Sequence, residues 1–175
     1  MKKLKLHELG RKNIEEYKST GKIPVCVVLD DVRSMLNVGS VFRTCDGFNI
    51  EKLYLCGITG APPHREIQKT ALGATDSVDW HYEPDIEKVI LALKSEGYTI
   101  AGVEQTDGSV WLNEVSIDLD AKYALVFGNE VEGISDAVVD LLDMAIEIPQ
   151  EGVKHSLNVS VAAGIVLYNF FEAYI

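Results

Sequence analysis

Tyr123-Ala124-Leu125-Val126-Phe127 is an apolar run that passes directly into the loop Gly128-Asn129-Glu130-Val131-Glu132-Gly133. Comparable runs rich in Val and Ile recur along the chain and alternate with longer segments of helical period, the pattern of a parallel sheet with crossovers. Strands are expected at Val25–Leu29, Lys52–Cys56, Val78–Trp80, Thr99–Val103, Tyr123–Phe127 and Ala145–Ile148. Helices are expected near Val38–Asp46, Asp85–Ser95, Asp136–Leu142 and Leu157–Tyr174. The expected fold class is therefore α/β, a mostly parallel sheet of about six strands flanked by helices.

Ligands of open parallel sheets bind beyond the carboxyl ends of the strands, so the loops after Leu29, Val103, Phe127 and Ile148 are the ones to inspect. In the 128–133 loop the glycines stand five apart as in a phosphate loop, but Ile134-Ser135 replaces the Lys-Ser/Thr that would hold phosphate and magnesium. Two carboxylates there would also repel a triphosphate, and no G-x-G-x-x-G occurs elsewhere. A less anionic ligand is indicated, and S-adenosylmethionine, a sulfonium without phosphate, meets that requirement. Gly128 would let backbone groups approach an adenine edge, although Glu130 and Glu132 also read as ordinary turn residues.

The first loop carries Asn37-Val38-Gly39 into a helix, with Arg43 about a turn and a half further on. Asn37 is expected as the N-cap, Gly39 as the point of close ligand approach and Arg43 as a forked cation for a phosphate. A capped helix with a surface arginine explains the same residues. The last loop, Ile148-Pro149 through Ser156-Leu157-Asn158, is a strand end, a Pro/Gly loop and a helix start, with Ser156 expected as N-cap and Asn158 just inside the helix. Arg65 and Lys69, at i and i+4, would share a helical face suited to phosphates. His64 and His155 lack a Ser or Cys nucleophile at a recognisable spacing and are given no catalytic role.

With 175 residues, 47% hydrophobic and 25% charged, the chain suits one globular domain with a real core. The net charge of −11 argues against a protein that coats nucleic acid nonspecifically. Residues 1–22 hold seven basic side chains against three acidic ones, so this segment carries +4 and the remainder −15. It is expected as a basic helical segment, with a helix from about Leu4 to Lys18, in front of a domain spanning 23–175. A solvated amphipathic helix and a direct RNA contact both remain open for it. No secretory signal is legible at Met1–Lys22, and Leu157–Ile175 is too interrupted by Asn158, Ser160, Asn169 and Glu172 to read as a membrane span. Cys26, Cys45 and Cys56 lie in apolar runs without metal-ligand spacing, which suggests core thiols, no metal site and a cytoplasmic location.

Taken in order, Asn37-x-Gly39-x-x-x-Arg43, Phe127-Gly128-Asn129-Glu130-x-x-Gly133 and Ile148-Pro149 through Ser156-Leu157-Asn158 resemble the three motifs of the SpoU/TrmH branch of the SPOUT methyltransferases. The resemblance runs from about Val25 to the C-terminus. It implies a C-terminal deep trefoil knot and a homodimer whose active site combines both subunits. It also implies S-adenosylmethionine as cofactor and methyl transfer to a ribose 2′-hydroxyl of RNA, with tRNA expected over rRNA.

By this carry-over Arg43 is the principal catalytic residue, completed by Asn37, Glu130, Ser156 and Asn158. Val103, Glu104, Phe127, Gly128, Ile148, Ser156 and Leu157 line the cofactor pocket, and Arg33, Arg43, Arg65 and Lys69 meet RNA. A guanidinium stays protonated, so Arg43 is expected to anchor a phosphate and stabilise the developing oxyanion, with substrate phosphate or Glu130 helping to remove the proton. Because the chain shows no RNA-binding extension, recognition is expected to rest on the dimer and the basic segment. A noncatalytic RNA-binding dimer and a base methyltransferase are the competing readings, and Arg43 in its Asn37-x-Gly39 setting favours ribose.

Overall fold

The computed structural model describes residues 1–5 and 8–175. Its centre is a sheet of seven parallel strands in the order β3-β2-β1-β6-β4-β7-β5. These are β1 (Ile23–Asp30), β2 (Ile50–Cys56), β3 (Trp80–Glu83), β4 (Tyr98–Val103), β5 (Val110–Trp111), β6 (Lys122–Phe127) and β7 (Met144–Glu147). From Val25 to Asp30 every residue of β1 is buried, as are Tyr123–Phe127 in β6, because both strands are covered on both faces. Val25, Val27 and Leu29 join one apolar cluster, while Cys26 and Val28 join a second on the opposite face.

The first cluster holds α2 (Met35–Gly47), α3 (Arg65–Ala71) and α7 (Val159–Ala173), while α5 (Ile86–Ser95) and α6 (Asp136–Val139) cover the second. The short helices α1 (Ile14–Ser19) and α4 (Ala74–Ser77) complete the set. In α7 the residues Val159, Ala163, Val166, Leu167 and Phe170 form the buried stripe. Phe170 meets Tyr123 of β6 edge-on, with ring centroids 5.2 Å apart, and is fully buried. Phe170→Ala is expected to cost about 4 kcal/mol and lower the Tm by roughly 10 °C, read by thermal circular dichroism.

Element boundaries differ from the sequence expectation where caps compete. Among the described residues the α-helix expected from Leu4 runs only over Ile14–Ser19, because Gly10 takes φ 58° and Asn13 forms a capping box with Glu16. Leu6 and His7, part of the expected helix, lie outside the described residues. Ser34, not Asn37, caps α2, accepting from the Asn37 amide at 3.3 Å. Asn158, not Ser156, caps α7 and so precedes the helix, accepting from the Ser160 amide at 3.0 Å. The third strand starts at Trp80, because Val78 is spent as the cap ending α4. The last strand is Met144–Glu147, and α6 stops at Val139. The seventh strand, β5, is two residues long and leaves no periodic signal. Among the described residues no helix is long and apolar enough to cross a membrane.

Candidate active site

The carboxyl ends of β4, β6 and β7, adjacent in the sheet, surround a cavity of about 460 Å³. Its walls include Val103, Glu104, Phe127, Gly128, Ile148, Ser156 and Leu157, all seven residues expected to hold a cofactor. Glu130 and Asn158 also line it. Among the described residues its lining has four carboxylates, Glu104, Glu130, Glu132 and Glu147, and no Lys or Arg. Such a surface favours a cationic ligand and repels polyphosphate.

The 128–133 loop is closed on itself. Asn129 and Gly133 exchange two backbone hydrogen bonds of 3.1 Å, and Asn129 Oδ1 accepts from the Val131 and Glu132 amides at 2.9 and 2.8 Å. Gly133 takes φ +72°. A Cβ at Gly128 would collide with the backbone of Gly133 and Ile134, so the loop's own closure requires this glycine, which also lines the cavity. At Gly39, where ligand approach was expected, the Cβ space is taken by Thr70 Oγ1 and the Ile67 carbonyl of α3.

Three segments meet beside the cavity. Asn37 Nδ2 donates to Glu130 Oε1 at 2.8 Å, and Asn158 Nδ2 donates to Asn37 Oδ1 at 3.2 Å. Asn158 thus caps α7 through its oxygen and reaches Asn37 through its nitrogen. Partial burial tends to raise the Glu130 pKa, but hydrogen bonds from the Asn37 side chain and from the amides of Glu130, Arg33 and Ser34 outweigh it and hold the carboxyl below its ordinary value of 4.5. A depressed folded value means that the stabilisation from ionised Glu130 is complete above 4.5 and lost only as pH falls through the lowered value. Stability is therefore expected to show no Glu130-dependent loss above about pH 5, tested by comparing the pH dependence of the melting temperature of the wild type and Glu130→Gln.

Arg43 does not line this cavity. It is exposed, makes no salt bridge among the described residues, and borders a separate shallow recess with Ser40, Thr44, Lys69 and Thr70. Lys69 is thereby brought beside it, whereas Arg65, one turn earlier in α3, borders neither depression. Arg33 is exposed immediately before the α2 cap. Two features escaped the sequence reading. Asn129 organises the loop, and Asp30, an acid ending an apolar run, is almost wholly buried, which was the available signal.

A family model described as the SpoU rRNA Methylase family matches residues 24–168. The chain belongs to that family. Among SpoU relatives, a protein from Thermus thermophilus named tRNA (guanosine(18)-2′-O)-methyltransferase is 31% identical over 161 residues, covering 92% of this chain and 81% of that one. A solved structure described as the A. aeolicus TrmH/SpoU tRNA modifying enzyme superposes with a TM-score of 0.80 at 30% identity, covering 91% of this chain and 79% of the other. The SpoU methyltransferase AviRb from Streptomyces viridochromogenes, solved in complex with AdoMet, shares the fold with a TM-score of 0.77 at 22% identity, covering 95% and 63%.

Proposed function

We propose that this SpoU methylase transfers a methyl group from S-adenosylmethionine to a ribose 2′-hydroxyl of RNA, with tRNA as the preferred substrate, and works in the cytoplasm as a homodimer. The observation that carries the reading is the acid-lined cavity, without Lys or Arg among the described residues of its lining, whose Glu130 and Asn158 are joined through Asn37. The tRNA ribose methyltransferase named among its relatives supports the substrate class.

The residues present fit the cofactor. Val103, Phe127, Ile148 and Leu157 supply apolar walls for an aromatic base, and the surrounding carboxylates complement a sulfonium. Bound there, S-adenosylmethionine supplies an electrophilic methyl carbon whose bond to sulfur breaks as the ribose oxygen attacks. The chain must orient that oxygen, exclude water and accept a proton. Asn158, the cap of α7, and Ser156, two residues before it, line the cavity and would orient the ribose oxygen. As the new O–C bond forms, the hydroxyl proton becomes strongly acidic, so a carboxylate held ionised, such as Glu130, suffices to receive it.

Arg43 anchors a substrate phosphate and stabilises charge on the attacking oxygen. Since it borders a different recess from the donor cavity, we assign it to the site of a second subunit. The exposed apolar side chains Val161, Ile165 and Tyr168 on α7 support such pairing.

The test incubates the protein with labelled S-adenosylmethionine and total tRNA, then maps an alkali-resistant ribose methyl in the product. Donor binding without transfer to tRNA or rRNA would overturn the catalytic reading in favour of a regulatory RNA-binding dimer. A monomeric mass in sedimentation would overturn the two-subunit site.

A further inference from the structure

The loop that begins at Gly128 ends at Ile134 and Ser135, and the two consecutive amides there are taken by carboxylates from different strands. Glu104 Oε2, just beyond β4, accepts from the Ile134 amide at 3.0 Å. Asp30 Oδ2, at the end of β1, accepts from the Ser135 amide at 3.0 Å. β1 and β4 are the two neighbours of β6, so the loop leaving β6 is gripped from both sides.

Asp30 lies outside the cavity lining and is 3% exposed. Burial drives its pKa above the ordinary carboxylate value, against hydrogen bonds from the Ser135 amide and hydroxyl. A carboxylate buried at the end of an apolar strand carries a desolvation cost that an apolar residue would avoid, so its presence is to be explained by the group it holds. Ser135 supplies the second observation. It occupies the N-cap position of α6, yet its side chain makes no capping bond. Its backbone amide is instead given to Asp30, at 3.0 Å.

We infer that Asp30 is a positioning residue for the methyl-donor loop, holding its exit through Ser135 while Glu104 holds the preceding peptide. The inference rests on the cavity being the donor site. The two latches act on the loop as a closed unit, because the Asn129–Gly133 bridge makes it one. With its exit fixed, Glu130 is presented to Asn37 and the inner edge of the loop faces the cavity. On this account Glu104 contributes chiefly through Ile134, and its other oxygen is engaged by the Gln105 amide at 2.9 Å.

The experiment measures S-adenosylmethionine affinity by calorimetry, together with hydrogen exchange over residues 129–134, for the full chain and for D30A, D30N, S135P and D30A/S135P. Ser135 has φ −61°, which proline adopts, so S135P removes the amide donor without demanding a new φ at that position. D30A and S135P are each expected to weaken binding about tenfold, the order for losing a charge-assisted hydrogen bond, and to speed exchange in the loop. The double variant is expected to be no weaker than either single one, because both remove the same contact. D30N keeps an acceptor oxygen and is expected to recover affinity to within about threefold of the wild type.

Unchanged affinity and exchange in D30A, or effects that multiply in the double variant, would overturn the inference. If D30A fails to fold, S135P decides by the same two readouts. A wild type that binds no S-adenosylmethionine would overturn the donor reading itself. Loop exchange in S135P would then decide the latch alone, unchanged exchange overturning it.

Discussion

Arg43→Ala is expected to lower kcat/KM for RNA methylation about a thousandfold, a loss of about 4 kcal/mol of transition-state stabilisation, while S-adenosylmethionine affinity changes by less than about twofold. The separation follows from geometry. Arg43 borders a recess with Lys69 and Thr70 and is not among the residues that line the cavity. Its guanidinium is therefore available to a phosphate and to the oxygen that becomes charged during transfer. Arg43→Lys keeps the charge but loses the planar fork, and is expected to retain under about a tenth of the turnover. Near-normal turnover in Arg43→Lys would overturn the anchoring role, and a parallel loss of donor binding would place Arg43 in the cavity after all. Steady-state kinetics with titrated RNA, set beside calorimetry of the donor, separates these outcomes.

Gly128→Ala is expected to abolish donor binding, with at least about a hundredfold loss of affinity and destabilisation of about 3 kcal/mol. The added methyl would meet the Gly133 carbonyl group and the Ile134 amide nitrogen, both backbone atoms that cannot rotate away. To make room, the loop must shift off Glu104 and Asp30, moving Glu130 from Asn37. A Tm about 10 °C lower, with S-adenosylmethionine no longer raising it, is the expected signature in a thermal shift measurement. A variant that is destabilised yet binds the donor normally would show that the closed loop does not shape the cavity.

The parallel sheet was legible because Val25–Leu29 and Tyr123–Phe127 are uninterrupted apolar runs, and burial on both faces demands nothing else of them. The cavity residues were legible through motif order, since a ligand at the carboxyl edge of a parallel sheet draws on the loops that follow its strands. The caps were not. Ser34 and Asn37 are both good capping residues three positions apart, as are Ser156 and Asn158 two apart, and propensity alone cannot rank such neighbours. Asn37 was left free of capping and so became available to Glu130.

From the sequence alone came the alternation of strands and helices, the placement of glycines and polar side chains in the right loops, and an acid-rich ligand site without the residues of a phosphate loop. Its local periodicity carried that much, because burial on a strand or a helix face is set by neighbours within a few residues. Only the tertiary structure decided which of those loops meet: Glu130 with Asn37, Asn37 with Asn158, and Asp30 with Ser135, pairs separated by 93, 121 and 105 residues. It also showed that Gly39 and Gly128 yield their space to the chain's own backbone and side chains. Contacts of that span depend on the order in which strands are laid into the sheet, and no periodicity in the chain encodes that order.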